Sequence, residues 1–255
     1  MSKKLEKQEN VVENNYVEGR NAVIELLRAE KSIDKIYIAP DLISKLKDIT
    51  TLARQQNVVI VECDRRKLDT MSITKTHQGV MAQPSARDYV TIKDILDVAD
   101  QRGEKPFIIV CDGITDPHNL GAIIRSAESA GAHGVIISKR RAVGLTAVVA
   151  KSSAGALEHI GVARVSNIAQ TLEMLKENGV WIFGADADGD KNLYDADFVG
   201  SSAIVIGSEG DGISKIVRKT CDFIVSIPMC GKINSLNASV ACGVLLYEAV
   251  RQRQK

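Results

Sequence analysis

FIIVCDGITDPHNLGAIIRSAESAGAHGVIIS, residues 107–138, has two apolar runs, Phe107–Cys111 and Gly134–Ser138, flanking a segment of different period. In that segment Leu120, Ile123, Ile124, Ala127 and Ala130 recur at helical spacing and make one apolar stripe. Asp116, Pro117 and Asn119 supply the turn and helix-start chemistry before it. At about 100° per residue, Arg125 falls on the opposite side of the helix. The chain repeats the theme with WIFGA (181–185), AIVIG (203–207) and FIVSI (223–227), and helical segments lie between most of these runs. Continuous apolar strands alternating with helices mean an α/β fold with a parallel sheet covered on both faces. Such sheets bind ligands beyond the carboxyl ends of their strands, so the loops after strands are the first places to look.

Upstream, the same periods make a smaller α/β unit. Residues 21–29 read as a helix through Val23, Leu26 and Leu27, and KIYIA (35–39) as a strand. Residues 42–55 read as a helix, VVIVE (58–62) as a buried strand, 66–72 as a short helix and 79–83 as a strand. The domains expected are therefore a tail over 1–15, a small domain over 16–88, a linker over 89–104 with one short helical piece before the polar run DQRGEKP, and a larger domain over 105–255.

The composition fits that reading. Hydrophobic residues make up 45% and charged residues 25% of 255, an ordinary globular mix that excludes a disordered or collagen-like chain. Net charge is +1, so bulk charge points to no nucleic acid; a local basic patch would suffice for one. The five cysteines are scattered with no CxxC pair, and there are four histidines, so no metal site is expected. No signal peptide is expected from the lysine-bearing, polar first residues, no run of about 18 apolar residues occurs, and a cytoplasmic protein with reduced thiols is expected.

Three segments carry polar chemistry. In the first, Arg125 is a functional cation or a solvated one, and Asn119 a catalytic group or a helix cap. In the second, IVIGSEGDGIS (204–214), a buried strand runs into Gly207, Gly210 and Gly212, which admit close backbone approach. It lacks the Gly-Lys-Ser/Thr of a phosphate loop and is not GxGxxG. With Glu209 at its centre it suits a hydroxyl-rich or cationic ligand, or it is an ordinary turn. In the third, residues 227–249, a strand ends at Ile227-Pro228 and Ser235 opens the last helix. Small residues there leave a cofactor, a partner helix or the sheet as the packing partner. Cys230 has no neighbouring histidine in sequence to activate it as a nucleophile.

Together, NLGAIIRSA (119–127), VIGSEGDGIS (205–214) and IPMCGKINSLNASVA (227–241) resemble the three ordered motifs of the SpoU (TrmH-type) branch of the SPOUT RNA 2'-O-methyltransferases. The resemblance covers about 150 residues, from Phe107 onward. YVEGRNAVIELL (16–27) and THQGVMAQ (76–83) look like the small RNA-binding domain that precedes the catalytic domain in the members that methylate a guanosine of 23S ribosomal RNA. The resemblance implies S-adenosylmethionine as methyl donor, a carboxy-terminal trefoil knot and a homodimer. It implies cofactor binding at Gly207, Ile227, Met229 and Leu236. It implies catalysis or its support at Asn119, Arg125, Glu209, Ser235 and Asn237.

Methyl transfer to a ribose hydroxyl needs positioned reactants and a more nucleophilic oxygen, and no metal. An arginine guanidinium is a permanent cation and a poor general base, so the expected role of Arg125 is to hold the substrate phosphate and stabilise developing oxyanion charge. A base role through an RNA phosphate stays open. Asn119 and Ser235 would orient groups, and Asn237 would support the cofactor loop. For RNA contact the basic runs are Arg65–Lys67, Lys139–Arg141 and Arg218-Lys219. The competing readings are a transfer-RNA or other ribosomal substrate, a non-catalytic RNA-binding assembly factor, and an unrelated nucleotide-binding enzyme.

Overall fold

The computed structural model describes residues 16–254. The expected tail, 1–15, lies outside the described residues. The chain divides into two units between Pro84 and Ser85.

The first unit runs β1 (Val17–Glu18), α1 (Arg20–Arg28), β2 (Ile33–Ile38), α2 (Lys47–Gln55), β3 (Val59–Glu62), α3 (Arg65–Met71) and β4 (Val80–Pro84). Its sheet has the order β1-β4-β2-β3, with β2 parallel to β3 and β4 antiparallel to its neighbours. Val23 and Leu27 of α1 pack with Ile36, Ile38, Ile49, Leu68 and Met81. The helix expected from residue 42 starts only at Lys47, because Pro40–Leu42 forms a single tight turn first. That turn and the next place Leu42 and Leu46 in the core. The Glu18 carboxylate accepts from the Ser72 hydroxyl at 2.6 Å, from the Ile73 N–H at 2.8 Å and from the Thr74 hydroxyl. This ties the first sequence motif of the unit to the loop that precedes the second. His77 closes the same loop: its Nδ1 accepts from the Gly79 N–H at 2.9 Å.

The second unit begins with α4 (Ile92–Arg102), in the stretch read as a linker. Thr91 and Asp94 form a reciprocal cap at its start, and Gly103 ends it in the left-handed region at φ 66°. Ile95 is buried against Gly134, where a Cβ would come within 2.5 Å of the Ile95 Cδ1. Val90 donates its N–H to Val162 O at 3.0 Å. Residues 85–104 therefore belong to the second unit; the polar surface of α4 masked a two-residue apolar seam, Ile95 and Ala99.

There follow β5 (Phe107–Asp112), α5 (Pro117–Ser129), β6 (Gly134–Ser138), α6 (Ala147–Ser152), β7 (Gly161–Val165), α7 (Ile168–Glu177), β8 (Trp181–Ala185), β9 (Lys191–Asn192), β10 (Ser202–Gly207), α8 (Lys215–Thr220), β11 (Phe223–Ser226) and α9 (Ala238–Arg253). The seven strands lie in the order β7-β6-β5-β10-β8-β11-β9, and every pairing is parallel. The edge strands β7 and β9 are the two that the apolar runs did not announce, since an edge position tolerates Arg164, Lys191 and Asn192.

Alternate residues of each central strand feed opposite cores, as a period of two requires. Phe107, Ile109 and Cys111 of β5 pack under α5 and α9 with Leu120, Ile123 and Leu246. Ile108 and Val110 pack on the other face with Ile95, Leu172 and Val217. Arg253 pins the end of α9 to the amino-terminal edge of the sheet. It donates to Phe198 O, Gly200 O and Pro106 O at 2.6–3.2 Å and stacks 4.5 Å from the Phe107 ring centre.

Candidate active site

Parallel register decides which loops meet. β10 pairs with β5 so that Gly207 lies opposite Asp112, and both strands end there. The loops 113–116 and 208–212 therefore leave the sheet side by side. The second is a tight turn: Ser208 and Gly212 exchange N–H···O bonds of 3.0 Å each, with Gly212 at φ 63°. It folds back so closely that a Cβ on Gly207 would lie 2.1 Å from the Gly212 carbonyl carbon. Only glycine fits there. Asp112 Oδ2 accepts from the Ser214 N–H at 2.8 Å and ties the far end of the turn to β5.

Three sequence-predicted residues converge on this turn. Asp116, not Asn119, caps α5, accepting from the His118 N–H at 3.1 Å. Asn119 is thereby left two residues into the helix with its side chain buried. Its Nδ2 donates to Glu209 Oε1 at 2.8 Å. Asn237 Nδ2 donates to the same oxygen at 2.5 Å and to Asn119 Oδ1 at 2.8 Å. Asn237 Oδ1 meanwhile caps α9, accepting from the Ser239 and Val240 N–H groups at 3.0 and 3.3 Å. The last helix thus starts at Ala238 with Asn237 as its cap, three residues later than Ser235. The two amides orient the Glu209 carboxylate through one oxygen and leave Oε2 without a protein partner among the described residues.

The triad stands between two clefts. The smaller, about 310 Å³, is lined by Gly207, Glu209, Ile227, Met229, Ser235 and Leu236. Met229 and Leu236 are 38% and 39% exposed, large apolar side chains turned to an open cleft. The larger, about 680 Å³, shares Glu209 and adds Asn119, Asp116, Arg140 and Arg141. All the expected site residues except Arg125 line a cleft or join the triad. Arg125 is exposed on α5, lines neither cleft and has no ion pair among the described residues.

Sequence reasoning passed over Asp186, which lines the smaller cleft and pairs with Arg218 at 2.5 Å. Its signal was its place directly after the strand WIFGA. The thiols offer no nucleophile from the core: burial pushes Cys111 and Cys221 up to about 12. Cys230 is exposed with no hydrogen-bond partner among the described residues. No group of three or more His, Cys, Asp or Glu placed to hold a metal occurs among the described residues.

Residues 106–247 match the SpoU rRNA methylase family, and residues 16–90 match the substrate-binding domain of RNA 2'-O ribose methyltransferases. The chain belongs to the SpoU rRNA methylase family. The motif resemblance is borne out over both units. This SpoU family member is 46% identical over 242 residues to Bacillus subtilis YacO, placed by its name in the TrmH family of tRNA/rRNA methyltransferases; the match covers 94% of this chain and 97% of that one. It is 42% identical over 238 residues to the 23S rRNA (guanosine-2'-O-)-methyltransferase RlmB of Ralstonia nicotianae, covering 92% and 94%. Among solved structures it resembles the SpoU methyltransferase AviRb of Streptomyces viridochromogenes, in complex with AdoMet. The TM-score is 0.60 and the identity 27%, with coverage of 94% and 90%. No helix among the described residues of this SpoU protein is long and apolar enough to cross a membrane.

Proposed function

We propose that the protein transfers a methyl group from S-adenosylmethionine to the ribose 2'-hydroxyl of a guanosine in 23S ribosomal RNA, in the cytoplasm. The RNA methyltransferase activity is that of its family. The guanosine and the 23S substrate rest on the nearly full-length likeness to RlmB, which extends through the amino-terminal unit. The observation that carries the reading is the Asn119–Glu209–Asn237 triad, set between an apolar cleft and a polar one.

The residues of the smaller cleft fit the cofactor. Ile227, Met229 and Leu236 offer apolar surface to a flat adenine, Ser235 and main-chain groups around Gly207 offer hydrogen bonds, and the Glu209 carboxylate offers a counter-charge to a cationic donor. When bound, S-adenosylmethionine supplies a methyl group on a positively charged sulfur, already a strong electrophile. The protein's part is then position and electrostatics. Asn119 and Asn237 hold the Glu209 carboxylate in one orientation, and its Oε2 is available to a hydroxyl proton in the larger cleft. Arg125, exposed on α5 outside both clefts, serves a phosphate of the RNA away from the reacting hydroxyl.

Two further elements belong to this reading. The family likeness supports threading of the carboxy-terminal segment into a trefoil knot. A homodimer is supported by Val240, Val244 and Tyr247, an apolar stripe along α9 that is 52%, 37% and 55% exposed. Light scattering should give twice the chain mass, and Val244→Glu should give the single-chain mass.

The experiment is incubation with tritiated S-adenosylmethionine and unmodified ribosomal RNA, with transfer RNA in parallel, followed by nuclease mapping and mass spectrometry. A 2'-O-methylguanosine in 23S RNA is expected. Label confined to transfer RNA would overturn the substrate, and no label in either would overturn the reaction.

A further inference from the structure

We propose that the larger cleft is the seat of the acceptor strand, where Arg140 and Arg141 hold the phosphate of an unpaired RNA nucleotide whose ribose lies against Asn119 and Glu209. The inference rests on the methyltransferase reading and deepens it.

The cleft, about 680 Å³, lies within the size range of ligand pockets, about 300–1,000 Å³. Its two walls differ in charge. The wall after β6 and β7 carries Arg140 and Arg141, with Asn167 at the start of α7; the wall after β5 and β10, on the other side in strand order, carries Asp112, Asp116, Glu209 and Asp211. Both guanidiniums are exposed and have no ion pair among the described residues.

The backbone that presents them is held at three points. Lys139 donates its N–H to Val165 O at 2.7 Å, the Ser138 hydroxyl donates to Arg140 O at 2.8 Å, and the Val143 N–H donates to Ile114 O at 3.0 Å. Arg141 sits in the left-handed region at φ 56°, where non-glycine residues are uncommon. Two cations on an anchored loop, without an internal counter-ion, lose little backbone entropy on meeting an anion. The first N–H groups of α7, a ten-residue helix whose Ile168 and Ala169 line the same wall, add their positive end.

The charge asymmetry sets the direction of the strand. The acidic wall repels a phosphate, so the phosphate lies on the arginine side. A ribose one bond away then faces the acidic side, where Asn119 and Glu209 stand. An unpaired nucleotide can enter such a concavity, whereas a base-paired helix presents its sugars along a convex groove.

The test uses the full chain and transcribed 23S RNA. Filter binding is followed from 50 to 300 mM salt for wild type, Arg140→Ala/Arg141→Ala, and the charge-matched control Arg102→Ala/Lys105→Ala. The control positions are exposed at the opposite, amino-terminal end of β5. The cleft variant should bind RNA about tenfold more weakly near physiological salt, with the salt slope reduced by about 1.4 for two single-strand contacts. Its KM for RNA should rise more than its kcat falls, and calorimetric affinity for S-adenosylhomocysteine should stay at the wild-type value. Arg140→Lys/Arg141→Lys should recover most of the binding. Affinity and slope equal to the control would overturn the assignment, as would wild-type protein that fails to bind RNA. If the cleft variant alone loses binding but wild type transfers no methyl group, the cleft assignment stands and the methyltransferase reading falls.

Discussion

Replacing Asn237 separates the two tasks that its side chain performs. Oδ1 caps α9, and Nδ2 donates to Glu209 and Asn119. Asn237→Ala removes both. The lost cap costs about 1 kcal/mol. The two lost donor bonds add roughly 1 kcal/mol, since the site is partly solvated. A total of about 2 kcal/mol lowers the Tm of a unit this size by ~4–8 °C. Asn237→Asp keeps an oxygen at the cap, where a negative charge suits the helix N-terminus, but puts a carboxylate oxygen 2.5 Å from Glu209 Oε1 in place of the donor. Its Tm should stay within a few degrees of wild type while Glu209 loses its orientation. A charge-assisted bond of about 1.5–3 kcal/mol, expressed at the transition state, corresponds to a rate loss of about 10- to 150-fold. The assays are calorimetric melting and single-turnover transfer of tritiated methyl to 23S RNA. Wild-type single-turnover rates in Asn237→Asp, with its fold intact, would refute the claim that the triad organises the reacting centre.

Arg125→Ala should abolish turnover while calorimetric affinity for S-adenosylhomocysteine is kept; wild-type turnover removes Arg125 from the reaction. Gly207→Ala forces a Cβ into the Gly212 backbone and should cost about 1–3 kcal/mol of stability. It should also weaken cofactor affinity, and an unchanged melting curve would contradict the close approach. Burial holds the His133 imidazole below its ordinary value, against the opposing pull of its hydrogen bond to Glu104. Its Nδ1 accepts from the Phe107 N–H at 2.9 Å, which requires the neutral ring. The unfolded chain takes up this proton at higher pH than the folded one, so stability should fall as pH drops through the usual histidine range of about 6.5. His133→Asn should flatten that dependence between pH 7.5 and 5.5, and identical Tm-against-pH slopes would refute the assignment.

The apolar runs and the 3.6-residue stripes were readable in the chain because burial in a two-faced parallel sheet acts on each strand locally. Phe107–Cys111 and Ala203–Gly207 had to be apolar throughout, and they are strands buried on both faces. The polar motifs at Asn119, Glu209 and Asn237 were legible as candidates because they follow strand ends. Edge strands β7 and β9 were not legible, since one side of an edge faces no neighbour and accepts charged residues. α4 was legible only as a short helical piece of a linker, because its core contribution is two residues among polar ones.

What only the tertiary structure decided is which side chains meet. Asn119 lies 90 residues from Glu209 and 118 from Asn237, yet all three share hydrogen bonds. No local period carries such information. It arises from strand order and register, which set Gly207 opposite Asp112 and bring the two loops side by side. The same geometry left Arg125 off both clefts and placed Arg140 and Arg141 on one of them. The sequence determined the elements and the chemical groups on offer; the pairing of β5 with β10 determined which of those groups form a site.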